Sequence, residues 1–285
     1  MSNAWQPELT ITGLSIYPVK SMQGISLERA SLTPLGLKYD RSWMIVDDQC
    51  EFVTQRQLAT LALIVPTLET EGLVLSAPEG SRITVPFDQP AGEHMTSNVW
   101  GQACSVVDEG QVFSRWLDEV LDYKRPLRLV RMAEHTRRQQ TLPELLGADT
   151  HVQFADAAPF LIVNEASLAA VNTALAEKGE QAVPMDRFRG NIVVKGIPAF
   201  EEHKWAGVRG VDFQMQFRMA CERCVMTSID QATADRHPHG EPVQTVRALN
   251  PSSDNPKSPV FGHYASLSKG EGVEVSCGDR LTLLD

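Results

Sequence analysis

The chain has 285 residues, 42% of them hydrophobic and 22% charged, with a formal net charge of −10. That balance suits a globular protein of one large or two modest domains, and no apolar run approaches the roughly 20 residues of a membrane span. The acidic surplus argues against a duplex nucleic-acid partner. The five cysteines (Cys50, Cys104, Cys221, Cys224 and Cys277), with no visible export leader, predict a reducing, cytoplasmic setting and no disulfide framework.

The first part reads as strands. Residues 14–18 alternate apolar and polar until Pro18 interrupts, and residues 42–46 are a dense β-prone run. A turn over residues 47–49 follows, and Phe52 and Val53 begin a return strand. Residues 73–75 and 83–87 flank Pro78, Glu79 and Gly80, the pattern of a hairpin. Residues 111–122 predict a helix, with Val112, Phe113, Trp116, Leu117, Val120 and Leu121 forming its apolar face. Residues 131–149 are polar and arginine-bearing, and read as a long loop. A second helix follows Asn164, a suitable N-cap, with Leu168, Val171 and Leu175 on one face and Gly179 at its stop. Residues 191–194 read as a buried strand. Residues 211–219 alternate strictly, placing Val211, Phe213, Met215, Phe217 and Met219 on one side of a half-buried strand that runs into Cys221 and Cys224. Residues 250–259 suggest an exposed loop, and residues 273–275 and 281–283 a closing hairpin. No repeat is visible, and the pattern lacks the regular strand–helix alternation of a doubly wound sheet.

The Cys221–Cys224 pair supports several chemistries. Zinc would draw on His237 and His239, but only Pro238 separates them where a finger needs three to five residues. A thioredoxin-like dithiol would open a helix, whereas Val225, Met226, Thr227, Ser228 and Ile229 are β-prone and predict another strand. A single thiolate metal ligand at a strand end is a third reading, with Arg223 favouring the anion. Two cysteines packed in a core is the fourth.

Landmarks spread along the chain carry a resemblance. They are Tyr17 through Ser21, Gly36 through Arg41, Phe154 with Asp156, Asn164 through Leu168, Arg187 through Asn191, Cys221 through Cys224 with Thr227, Phe261 with Gly262, and residues 273–284. In order and spacing the sequence resembles the MOSC family (molybdenum cofactor sulfurase C-terminal domain), within it the subgroup of amidoxime-reducing components and YcbX-type proteins. The resemblance implies an α+β, mostly β fold: a MOSC-type β-barrel with a smaller α/β N-terminal domain, over residues 9–122 and 123–285. It implies a molybdenum cofactor (Mo-molybdopterin) with Cys224 as the metal's thiolate and the catalytic residue. Lys20, Ser21 and Arg41 from the first part, and Asp156, Arg189, Asn191, Glu222 and Arg223 from the second, would bind the cofactor, and Cys221 would be a neighbour of the ligand.

The implied activity is reduction of small N-hydroxylated compounds. YcbX-type relatives often carry a C-terminal ferredoxin domain, and Cys277 stands alone near Asp285. Electrons are therefore expected from a separate ferredoxin-like or flavin donor, with no nucleic-acid or membrane partner. Residues 229–234 depart from the pattern usual in the amidoxime reducers, which touches substrate identity. The alternatives are a cofactor carrier or sulfur-transfer module, with a persulfide on Cys224, and a scaffold that no longer binds cofactor.

Overall fold

The computed structural model describes residues 8–88 and 92–285. Seven strands close into a barrel. Their order is Ile192–Lys195, Phe160–Asn164, Val260–Lys269, Gln214–Glu222, Gly207–Arg209, Arg280–Leu284 and Glu8–Ile16, which pairs back onto Ile192–Lys195. Phe160–Asn164 and Ile192–Lys195 are parallel, and the helix Glu165–Glu177 lies in the crossover that a parallel pair needs. The other neighbours are antiparallel.

The first strand sends Leu9 and Ile11, then Leu14 and Ile16, into one core, a change from odd to even positions. Its register against Ile192–Lys195 shifts between Ile11 and Gly13, so a bulge absorbs the extra residue and keeps all four side chains inside. Glycine suits that place because a Cβ on Gly13 would lie 3.2 Å from Val193 Cγ2.

The N-terminal part forms a four-stranded antiparallel sheet in the order Trp43–Asp47, Leu127–Met132, Gln102–Asp108 and His94–Val99. A meander of Val65–Glu69, Gly72–Ser76 and Arg82–Pro86 contains the expected hairpin. The helix Gln111–Val120 seals this part with Phe113, Trp116 and Leu117, packed in one core with Trp43, Leu73 and Leu75. The architecture is the expected α+β, mostly β one, a barrel with a smaller α/β part.

Several local expectations are corrected. Val112 is 62% exposed, at the edge of a helical face centred on Phe113, Trp116 and Leu117. Residues 131–149 are not one loop: Leu127–Met132 is a strand, Arg138–Gln139 pairs with His151–Val152, and Pro143–Leu146 is a helical turn. Polarity misleads there because Arg131 and Arg138 are buried, Arg131 paired with Glu109 and Arg138 donating to the carbonyls of Gln153 and Ala155. Val211 is 95% exposed, since the Gly210 N–H donates to Phe213 O and turns the chain before the strand begins at Gln214. Residues Val225–Ser228 form a 3-10 turn in place of the expected strand. The Thr227 and Ser228 hydroxyls donate back to the carbonyls of Cys224 and Val225, and these local bonds outweigh β-propensity. The closing hairpin is absent: Glu274–Ser276 pairs with Arg29–Thr33, whereas Arg280–Leu284 joins the barrel. The return strand after the turn at residues 47–49 shrinks to isolated bridges at Glu51 and Phe52.

Candidate functional site

A cavity of about 640 Å³ is lined from both the N-terminal part and the barrel part of the chain. All nine residues singled out in the sequence line it: Lys20, Ser21, Arg41, Asp156, Arg189, Asn191, Glu222, Arg223 and Cys224. Three of them, Ser21, Arg41 and Arg189, have φ of 69°, 47° and 50°, in the left-handed region that non-glycine residues seldom adopt. Strain of this kind, of order 1–3 kcal/mol per residue, persists where the surroundings over-determine the conformation, as functional sites do.

Arg41 and Arg189 are built as a pair. Their guanidiniums lie over the Tyr17 ring, 4.3 Å and 4.2 Å from its centroid. Arg41 is held by Asp40 at 2.5 Å and donates to Arg189 O at 3.2 Å. Arg189 donates to Met22 O at 2.8 Å and to Gln231 Oε1 at 3.2 Å. Burial brings the Arg189 pKa down to about 10, so it remains a cation at neutral pH. Burial pushes the Tyr17 phenol up, so it stays neutral between the two cations.

Lys20 is buried, donates to Phe154 O at 2.8 Å and pairs with Asp156. Desolvation acts to raise the Asp156 pKa, yet the Lys20 charge and hydrogen bond and the Trp100 Nε1–H hold it well below the usual carboxylate range. Asp156 is thus an ionised acceptor with two donors already engaged. Asn191 lines the cavity but mainly braces the barrel: its Oδ1 accepts from Leu161 N at 3.1 Å and its Nδ2 donates to Ser15 O at 3.2 Å.

The two cysteines face different surroundings. Cys221 is buried in a core cluster with Val163, Val171, Phe188 and Phe261. Cys224 is exposed in the cavity. Arg223 hydrogen-bonds Cys221 Sγ at 2.7 Å and Phe188 O at 2.8 Å. The hydrogen bond to Cys224 Sγ comes from Arg56, at 3.1 Å. The zinc reading loses its histidines, because His237 Nε2 lies 3.1 Å from Glu180 and His239 Nδ1 lies 3.6 Å from it. Among the described residues no three His, Cys, Asp or Glu side chains converge as metal ligands.

Sequence reasoning missed Arg56, Arg187 and Trp100, all of which line the cavity. Arg187 sits in a quoted landmark, whereas Arg56 has no local signal, since its partner Cys224 comes from a distant segment. With Lys20, Arg41, Arg189 and Arg223, these give six cationic side chains against two carboxylates, Asp156 and Glu222, in a chain whose net charge is −10. The Nε–H donors of Arg187 and Arg223 are buried without a partner. Such unsatisfied donors cost about 1–3 kcal/mol each. An exposed soft thiol and a surplus of guanidiniums fit a molybdopterin: sulfur ligation at one end, phosphate and pterin edges elsewhere.

Known families and proteins agree in kind. The family described as MOSC N-terminal beta barrel domain matches residues 8–124, and that described as MOSC domain matches residues 149–282. The mitochondrial amidoxime-reducing component 1 of Mus musculus is 32% identical over 286 residues, spanning 96% of this chain and 82% of that protein. That of Homo sapiens is 32% identical over 96% of this chain and 83% of that protein. Mitochondrial amidoxime reducing component 2 of Bos taurus is 32% identical over 93% of this chain and 81% of that protein.

Proposed function

The chain belongs to the MOSC family, and from that premise we propose that it is a molybdenum-cofactor oxidoreductase that reduces N-hydroxylated compounds such as amidoximes. The observation that carries this is the exposed Cys224 thiol in a cavity whose cations come from both parts of the chain. Cys224 would supply the protein's thiolate to the metal. Arg187 and Arg223, which line the cavity, and the Arg41–Arg189 pair would hold the phosphate and pterin. Arg56 fixes the Cys224 sulfur by its hydrogen bond, and Asp156 with Lys20 supplies polar edges.

When bound, the cofactor supplies two-electron redox chemistry. The net conversion of an amidoxime breaks its N–O bond, takes up two electrons and two protons, and releases the amidine and water. The electrons come from a separate ferredoxin-like or flavin protein in this proposal. A cytoplasmic location, in keeping with five free cysteines, belongs to it too.

The test begins with protein purified from a host that makes molybdenum cofactor. Molybdenum near one atom per chain, and amidoxime reduction with chemically reduced viologen, are the expected results. A folded protein with almost no molybdenum overturns the reading. Molybdenum without reduction favours a carrier or sulfur-transfer module, for which an exposed Cys224 is equally suited.

A further inference from the structure

Trp100 and Gly101 form the two-residue turn between His94–Val99 and Gln102–Asp108, with Val99 paired to Gln102. Both have positive φ, 55° at Trp100 and 84° at Gly101. Asn or Gly are the low-cost residues at such a position, and a bulky aromatic is a steric outlier. The turn does not need the indole, because Asn98 Oδ1 already accepts from the Gly101 N–H at 2.8 Å. Nor does the ring fill a core: Trp100 is 42% exposed and lines the cavity that holds Cys224.

The ring is nevertheless fixed. Its Nε1–H donates to Asp156 Oδ1 at 3.0 Å, the Arg56 guanidinium lies 5.0 Å from its centroid, and Phe52 meets it edge-on at 5.1 Å. Arg56 in turn reaches Cys224 Sγ. Met226 lines the same cavity, and its neighbour Val225 is exposed. The six cationic side chains of the lining suit an anion, whereas the aromatic and apolar surface of Trp100 and Met226 suits something else. A strained backbone, an exposed aromatic face and a rigid anchorage together point to a surface kept for a ligand.

We propose that Trp100 is a specificity-determining residue, whose indole receives the organic body of the substrate and favours flat aromatic N-hydroxylated compounds over aliphatic ones. This rests on the reductase reading of the cavity. Benzamidoxime and acetamidoxime carry the same reactive group and differ only in that body, so their comparison isolates the indole's part.

The experiment uses holoprotein: wild type, Trp100→Gly and Trp100→Phe, each with molybdenum per chain and melting temperature measured. Trp100→Gly relieves the turn but gives up the indole's contacts to Asp156, Arg56 and Phe52, so its melting temperature should stay close to that of wild type. Its KM for benzamidoxime should rise by about fivefold to tenfold more than its KM for acetamidoxime, with kcat for the two affected alike. Trp100→Phe keeps an aromatic face and should retain most of the preference. Equal shifts for both substrates, no shift for either, or lost molybdenum would overturn the proposal. Benzamidoxime binding to each holoprotein is measured by calorimetry as a separate arm. If wild type reduces neither compound, the reductase reading fails. The role of Trp100 then stands if wild type binds benzamidoxime more tightly than Trp100→Gly, and falls if the two bind alike.

Discussion

Cys221 and Cys224 share a short motif but not an environment, and substitution separates them. Cys224 is exposed, so Cys224→Ser should leave stability within about 0.5 kcal/mol of wild type while molybdenum content and activity collapse. Cys221 is buried against Arg223 and Phe188, so Cys221→Ser should cost about 1–2 kcal/mol yet keep molybdenum and most activity. Metal analysis and urea unfolding of both variants check this, and equal loss of activity would support a dithiol. A second test concerns His263, whose Nδ1 lies 3.0 Å from His203 Nδ1. Burial, with the neighbouring histidine, brings its pKa down to about 4. An unfolded histidine titrates near 6.5, so below that pH the unfolded chain binds more protons and stability falls as pH drops toward 4. Wild type should lose about 2 kcal/mol more than His263→Gln between pH 7.5 and pH 5, read from urea midpoints at each pH. At this scale the sequence named Lys20, Arg41, Asp156, Arg189 and Cys224, which the fold gathers around one cavity. It missed Arg56 and Trp100, because a contact across 168 residues leaves no local pattern and Trp100 sits in an otherwise ordinary turn.

Among the elements, the helix Glu165–Glu177 was legible because its signals are local. Asn164 accepts from Ala166 N at 3.0 Å, and Gly179 at φ 75° follows the helix. Asn164 also donates to Pro198 O and to the buried Glu202 carboxyl, at 2.9 Å and 3.4 Å. Asn164→Ala should therefore cost more than a surface cap, about 2–3 kcal/mol against the usual 1, because it leaves buried partners short of donors. Denaturant unfolding of that variant, with Asn164→Ser to keep an uncharged cap without the amide donors, measures the two contributions. The segment after Cys224 was misread for the opposite reason. Propensity favoured a strand, but two hydroxyls closing on nearby carbonyls settle the turn. The last two strands were found as strands and mispaired, since pairing depends on partners such as Arg29–Thr33 that no local turn signal reveals.

For the whole molecule, the mostly β class was legible from local patterns, whereas the barrel was expected through the family resemblance, because its closure pairs Glu8–Ile16 with strands near residues 192 and 280. The cavity concentrates cations in an acidic chain, so removing an anionic cofactor leaves those cations to repel one another. Cofactor-loaded protein should melt above cofactor-free protein, by about 4 kcal/mol of stability at a thousandfold excess over Kd. Inorganic phosphate should recover part of that in the cofactor-free form, as scanning calorimetry would show.

The first barrel strand also bears on how the chain is made. Glu8–Ile16 leaves the ribosome long before its barrel partners Ile192–Lys195 and Arg280–Leu284, with the short Ile25–Leu27 following it soonest. At about 5–20 residues per second, reaching Lys195 alone takes on the order of 10 s or more. Throughout that time Leu9, Ile11, Leu14 and Ile16 have no barrel to enter, and an apolar strand with an open edge is a template for association between nascent chains. The yield of folded protein should therefore respond to chaperone supply and translation speed more than to the stability of the finished barrel.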